Sequence, residues 1–164
     1  MNVKVINHSN NPLPQYATEG SAAMDLRVSF LDVFENMKTY GTVIFSERDG
    51  KKVLTIYPGA RALLPTGLHF EIPVGYQISA RPRSGLAFKS GIDLTNSVGL
   101  IDSDYRGEMM VGIINRGDEP VDITDGDRVC QILLEKVNKI EWELTDTLSE
   151  TDRGVGGFGS TGKN

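Results

Sequence analysis

Apolar residues along this chain come in short bursts that alternate with polar ones, and a glycine or proline closes nearly every burst. A period of two is the signature of strands with one buried face. Eighteen glycines and seven prolines in 164 residues leave little uninterrupted length for helix, so the pattern predicts an all-β antiparallel sandwich or barrel. Strands are expected at Val3 to Asn7, Asp25 to Val28, Val53 to Tyr57, Ala60 to Pro65, Leu68 to Ile72, Tyr76 to Arg81, Met109 to Asn115, Val121 to Ile123, Asp127 to Lys136 and Ile140 to Leu144. The segment from Ser29 to Lys52 has a hairpin signal of its own. Thr42 to Phe45 and Val53 to Ile56 flank Arg48-Asp49-Gly50-Lys51, and Asp-Gly accepts the positive φ of a tight turn. One short helix is predicted from Ser84 to Lys89, with Ser84 as its candidate N-cap after Pro82. The chain reads as one β domain over residues 1–152, with a hairpin-bearing segment at about 29–52, followed by a flexible tail over 153–164 that packs five glycines between Arg153 and Gly162.

Charge and composition narrow the partners. The net charge of −5 is spread over interspersed acids and bases, which argues against a nucleic-acid backbone while leaving room for a small anion at a local arginine cluster. No apolar stretch approaches membrane-spanning length, and the N-terminus lacks the plan of a signal peptide. The expectation is an intracellular, cytoplasmic protein with neither membrane nor nucleic-acid partner. Cys130, the one cysteine, sits in the apolar run Val129 to Leu134 and reads as a buried structural thiol. With His8 and His69 the only histidines, a His/Cys zinc site has too few ligands, and any metal should be a hard cation held by carboxylate or phosphate oxygen.

Several segments carry candidate chemistry. Gly157 to Lys163 imitates part of a P-loop, but Asn164 stands where a Ser or Thr belongs and no helix follows. Arg81-Pro82-Arg83-Ser84-Gly85-Leu86 places two guanidinium groups, a hydroxyl and a glycine before the helix; this suits an anion, though it is equally a solvated surface turn. Asn96 to Gly107 holds an amide, Asp102 and Asp104, and Tyr105 between glycines. Extended backbone would set the two aspartates on one side, unless a turn redirects one, and one of them could abstract a proton from water. An acidic turn that caps its own backbone is the plainer reading. Asp25 and Gln131 are polar residues within apolar strands and need partners. Phe158 is the lone large apolar side chain of the tail's last residues, free in water or closing over something flat such as a base.

In this order the segments resemble the five motifs of the trimeric deoxyuridine triphosphatases. Ala22 to Leu26 is similar to the first, Pro82 to Ala87 to the second, Gly99 to Gly107 to the third, Gly126 to Gln131 to the fourth and Arg153 to Gly162 to the fifth. The likeness runs from Val3 to Gly162 apart from about Ser29 to Lys52, which reads as an insertion, and Ala23 stands where the first motif usually has glycine. The resemblance implies a jelly-roll-like distorted β-barrel assembled as a homotrimer with shared active sites. It further implies hydrolysis of dUTP to dUMP and pyrophosphate with Mg²⁺ on the triphosphate. Asp102 would activate the water. Arg83, Ser84, Gly85 and Gln131 would hold phosphates, while Asn96 with the backbone of Leu100, Ile101 and Met110 would read uracil. Tyr105 would pack on the deoxyribose. Arg153 would meet the γ-phosphate, with Phe158 and its neighbour Gly159 closing over the base as a lid. Asp25 would act near the metal through water. Two rivals share parts of this pattern: a dCTP deaminase, whose proton-handling glutamate would fall near Gly112, and a dUTP-binding regulator acting through the 29–52 segment.

Overall fold

Every ladder among the described residues is antiparallel, as short alternating segments require. The structure is a computed structural model, and it describes residues 1–31 and 37–157. The strands are β1 (Lys4–Asn7), β2 (Met24–Arg27), β3 (Thr39–Tyr40), β4 (Val43–Arg48), β5 (Lys51–Ile56), β6 (Arg61–Leu64), β7 (Leu68–Glu71) and β8 (Tyr76–Pro82). After the helix α1 (Ser84–Ser90) come β9 (Ile92–Leu94), β10 (Gly99–Ile101), β11 (Val111–Asn115), β12 (Val121–Thr124) and β13 (Arg128–Lys136). They form open sheets in the orders β1-β7, β10-β8-β13-β2, β3-β6-β11-β9 and β12-β5-β4, with no closed barrel among the described residues.

One apolar cluster joins the sheets. Leu26, Leu54, Ile56, Leu64, Ile113, Cys130 and Ile132 are each at most 2% exposed, and a fully buried side chain of this size contributes about 1.5–3 kcal/mol. Most strands bury alternate residues, but β5 is buried continuously from Val53 to Ile56. Thr55, on the face turned from the core, is covered by the Arg48–Asp122 ion pair and donates its hydroxyl to Asp122. The β4–β5 hairpin turns at Asp49 and Gly50 with φ of 52° and 72°, the two positive angles that Asp-Gly supplies.

Three short strands, β3, β9 and β10, escape the hydrophobic pattern because two or three residues are too few to count a period. The expected strand Ile140 to Leu144 is not formed. Its alternation is genuine, yet Ile140, Trp142 and Leu144 are 71%, 89% and 102% exposed, and no described strand lies alongside to complete a ladder. The helix is present, but its N-cap is Arg83, and Ser84 is its first residue. Arg83 keeps extended backbone because it continues β8.

Asn115 closes the junction between sheets. It is fully buried, and its amide donates to the carbonyls of Ile56 and Glu119, both at 2.8 Å, while its oxygen accepts from Gly117 N–H at 2.9 Å. Asn115→Ala would leave the buried Ile56 carbonyl without this donor at a cost of about 1–3 kcal/mol, expected as a lowered urea midpoint at fixed protein concentration.

Candidate functional site

The break between β8 and α1 is where a cradle of two arginines is built. Pro82 ends β8, Arg83 stays extended at φ −85° and ψ 125°, and the helix starts at Ser84. Across the sheet, Arg81 pairs with Gln131 and Gln131 with Asp25, so three polar residues share one row. Arg83 Nε donates to Asp25 Oδ1 at 2.9 Å, and Arg128 Nη1 donates to Asp25 Oδ2 at 3.0 Å. A further bond from Arg83 Nη1 to the Arg128 carbonyl, at 2.9 Å, ties the two together. These side chains are 28–49% exposed, and an ion pair that wet stabilises a fold by about 0–1 kcal/mol. The effect of Asp25 is therefore geometric: it fixes two guanidinium groups side by side, with charge left over to meet an anion.

A bulge makes this convergence possible. The register of β13 against β2 shifts between Arg128 and Cys130. Val129 and Cys130 are consecutive and both buried, while Arg128 is exposed and Gln131 half-buried; strict alternation forbids that and a bulge permits it. Gln131 Nε2 donates to the Pro82 carbonyl at 3.0 Å, holding the entry to α1. Arg27, Arg83, Leu86, Asp122, Asp127 and Arg128 border a cleft of about 320 Å³. Beneath it the Cys130 thiol is pushed up to about 12, first by burial and then by the charge of Asp25, so it is the structural thiol expected and no nucleophile.

The second group lies on the other side of β8. Asn96 sits in the turn between β9 and β10, where Ser97 takes φ 61°. Leu100 and Ile101 follow on β10, paired with Ser79 and Ile78. Asp102 comes next and is exposed; Tyr105 N–H donates to its carbonyl at 3.2 Å. That turn ends the extended backbone, so Asp102 and Asp104 do not follow simple alternation. Tyr105 Oη donates to the Glu108 carbonyl at 2.9 Å, and Met110 leads half-buried into β11.

Within one chain the two groups do not meet. Ile101 pairs with Ile78, and Arg83 lies five residues beyond Ile78, just past the end of β8, about 16 Å away at ~3.3 Å per extended residue, with Asp102 one residue further off again. Arg153 donates from Nε to the Gly156 carbonyl at 2.8 Å, in a small turn where Gly154 takes φ 51°. Phe158 and Gly159 lie outside the described residues. Arg128 had a place in a motif but no role in the sequence reading, because only the bulge reveals that it turns toward Asp25.

An antiparallel, jelly-roll-like β fold with a guanidinium cradle at the end of one strand and a carboxylate hairpin beside another defines a class of nucleoside-triphosphate enzyme, and the dUTPase family model matches residues 50–162. The chain belongs to that family. It is 48% identical over 162 residues to the deoxyuridine 5'-triphosphate nucleotidohydrolase of Finegoldia magna, covering 99% of each chain, and 43% identical over 161 residues to that of Bdellovibrio bacteriovorus, covering 98% of this chain and 95% of that one. Among solved structures, a dUTPase from Streptococcus mutans superposes with a TM-score of 0.64 at 27% identity, over 87% of this chain and 100% of that chain. The Staphylococcus bacteriophage 80alpha dUTPase with dUPNHPP shares the fold at a TM-score of 0.74 and 19% identity, over 98% of both chains.

Beside the cradle, Glu135 accepts from the Ser79 hydroxyl, from Gln77 at 3.3 Å and from Arg81 at 2.9 Å. The Ser79 hydrogen bond, then Gln77 and Arg81, hold its carboxyl below the ordinary 4.5. A depressed folded value means the ionised form favours the fold, so this contribution is complete above about pH 4.5 and fades as pH falls through the lower folded value. Melting temperatures of the unaltered chain and Glu135→Gln, taken from pH 6 downward, are expected to converge below pH 4.5.

Proposed function

We propose that the chain hydrolyses dUTP to dUMP and pyrophosphate, lowering dUTP and supplying dUMP, with Asp102 as the base that activates water for attack on the α-phosphorus. The observation that carries this reading is the cradle: Arg83 and Arg128 locked on Asp25 beside the exposed Ser84, in a chain whose family hydrolyses a nucleoside triphosphate. Arg83, Ser84, Gly85 and Gln131 hold phosphate oxygens. Asn96 and the backbone of Leu100, Ile101 and Met110 read the uracil edge, and Tyr105 faces the deoxyribose, where a 2′-hydroxyl would be excluded. Arg153 reaches the γ-phosphate while Phe158 and Gly159 cover the base, excluding water from the reacting groups.

The separation of Asp102 from Arg83, more than about 16 Å along the sheet, supports a site shared between copies, as a homotrimer with three such sites would have, since the cradle of one chain needs a carboxylate from another. Mg²⁺ fits as a phosphate-borne ion. Both oxygens of Asp25 are held by arginines, and among the described residues no three His, Cys, Asp or Glu side chains converge, so Asp25 would reach the ion only through water. Bound there, Mg²⁺ would neutralise charge on the triphosphate. No helix among the described residues is long and apolar enough to cross a membrane, and a buried free thiol suits a reducing, cytoplasmic setting. For the deaminase reading a glutamate is wanted near Gly112, which instead packs on Thr95.

Pyrophosphate release measured across dUTP, dCTP, dTTP and UTP with Mg²⁺ tests the activity: dUTP is expected to turn over far faster than the rest, and comparable rates on all four would defeat the reading. Asp102→Asn should lower kcat on the order of 10²–10⁴-fold, the usual worth of a positioned base, with nucleotide affinity kept in a calorimetric titration.

A further inference from the structure

Gly107 does not take the positive φ that only glycine favours, yet among the described residues it is the glycine against which a candidate functional side chain lies closest. A Cβ built there would stand 2.3 Å from Tyr105 Oη, 2.5 Å from Cζ and 2.9 Å from Cε2. Real carbon atoms do not approach so closely, so the outer half of the phenol ring occupies the space a side chain at 107 would need. The ring is 45% exposed, and its hydroxyl is fastened to the Glu108 carbonyl, one residue beyond Gly107. Gly85, by contrast, has nothing within 4 Å of the same position.

From this contact we infer that Gly107 is a positioning residue for sugar selection: its missing side chain is the slot that seats the phenol of Tyr105, and any side chain there swings the ring off its mark. The inference rests on the reading of Tyr105 as the residue that faces the deoxyribose. No left-handed φ is strained by adding one methyl group, and the three atoms nearest to it are all in the Tyr105 phenol, so the movement falls on the ring. The consequence is lost discrimination at the sugar and unchanged discrimination at the base, because the three atoms nearest the added carbon all belong to Tyr105 and none to Asn96, Leu100, Ile101 or Met110.

The test is a double-mutant cycle on the full-length chain, with kcat/KM measured for dUTP, UTP and dCTP in the unaltered protein, Gly107→Ala, Tyr105→Ala and the double variant. Gly107→Ala is expected to reduce the preference for dUTP over UTP on the order of tenfold while keeping that over dCTP. In the Tyr105→Ala background the same change should have no effect, since no ring remains to displace. Equal losses in both backgrounds, or an unchanged preference for dUTP over UTP, would overturn the inference. Should Gly107→Ala fail to fold, a folded double variant supports the slot, and an unfolded one shows that the backbone itself needs glycine and overturns it. Ring position is read separately by NMR of ¹³C-labelled tyrosine, with the Tyr105 resonance assigned by its loss in Tyr105→Ala. A shifted resonance in Gly107→Ala alongside equal turnover of dUTP and UTP by the unaltered chain would mean that the slot stands and the sugar role of Tyr105 fails.

Discussion

The structure depends on β13. That nine-residue strand pairs with β8 along one edge and with β2 along the other, so it fixes the relative position of the strands that carry Asp25, Arg81 and Gln131. Its irregularity matters as much as its regularity. With Cys130 and Ile132 inward, period-two alternation without the bulge at Val129 would turn Val129 outward and Arg128 inward together. The core would lose an apolar side chain and the cradle its second guanidinium. One extra residue satisfies both demands, and the Asp25 ion pairs follow from it.

Those pairs show how weak interactions can decide a site. Half-exposed, they add little to stability, but they remove the rotational freedom of two long side chains before any ligand arrives, and that preparation is what binding otherwise has to supply. The outward face of β8 repeats the device with Glu135, Ser79, Gln77 and Arg81. Carboxylates on this sheet act as fixtures for arginine.

Much of the fold was legible in the sequence, because β8 alternates from Tyr76 to Arg81, β13 carries a long apolar run, and Asp49-Gly50 announces its own turn. β9 and β10 were illegible for want of length. Ile140 to Leu144 misled for a different reason: alternation reports what a segment could bury, and a ladder needs a partner that alternation does not name. In the site, motif order brought Arg83, Ser84, Gln131 and Asp102 forward as candidates, but no spacing along a chain says that Asp102 and Arg83 fall near opposite ends of β8. Arg128 and Glu135 stayed hidden because their roles arise from a bulge and from a cross-strand diagonal, both properties of the folded register.

The turn at Thr151 to Gly156 gives the glycine-rich tail a resting state. Arg153 is latched to the Gly156 carbonyl by one exposed hydrogen bond, worth about 1 kcal/mol against water, whereas a bond between guanidinium and a charged oxygen is worth about 1.5–3 kcal/mol. On the role proposed for Arg153, a phosphate that reached it would release this latch at a net gain, and the turn from Thr151 to Gly156 would re-form once that phosphate departs.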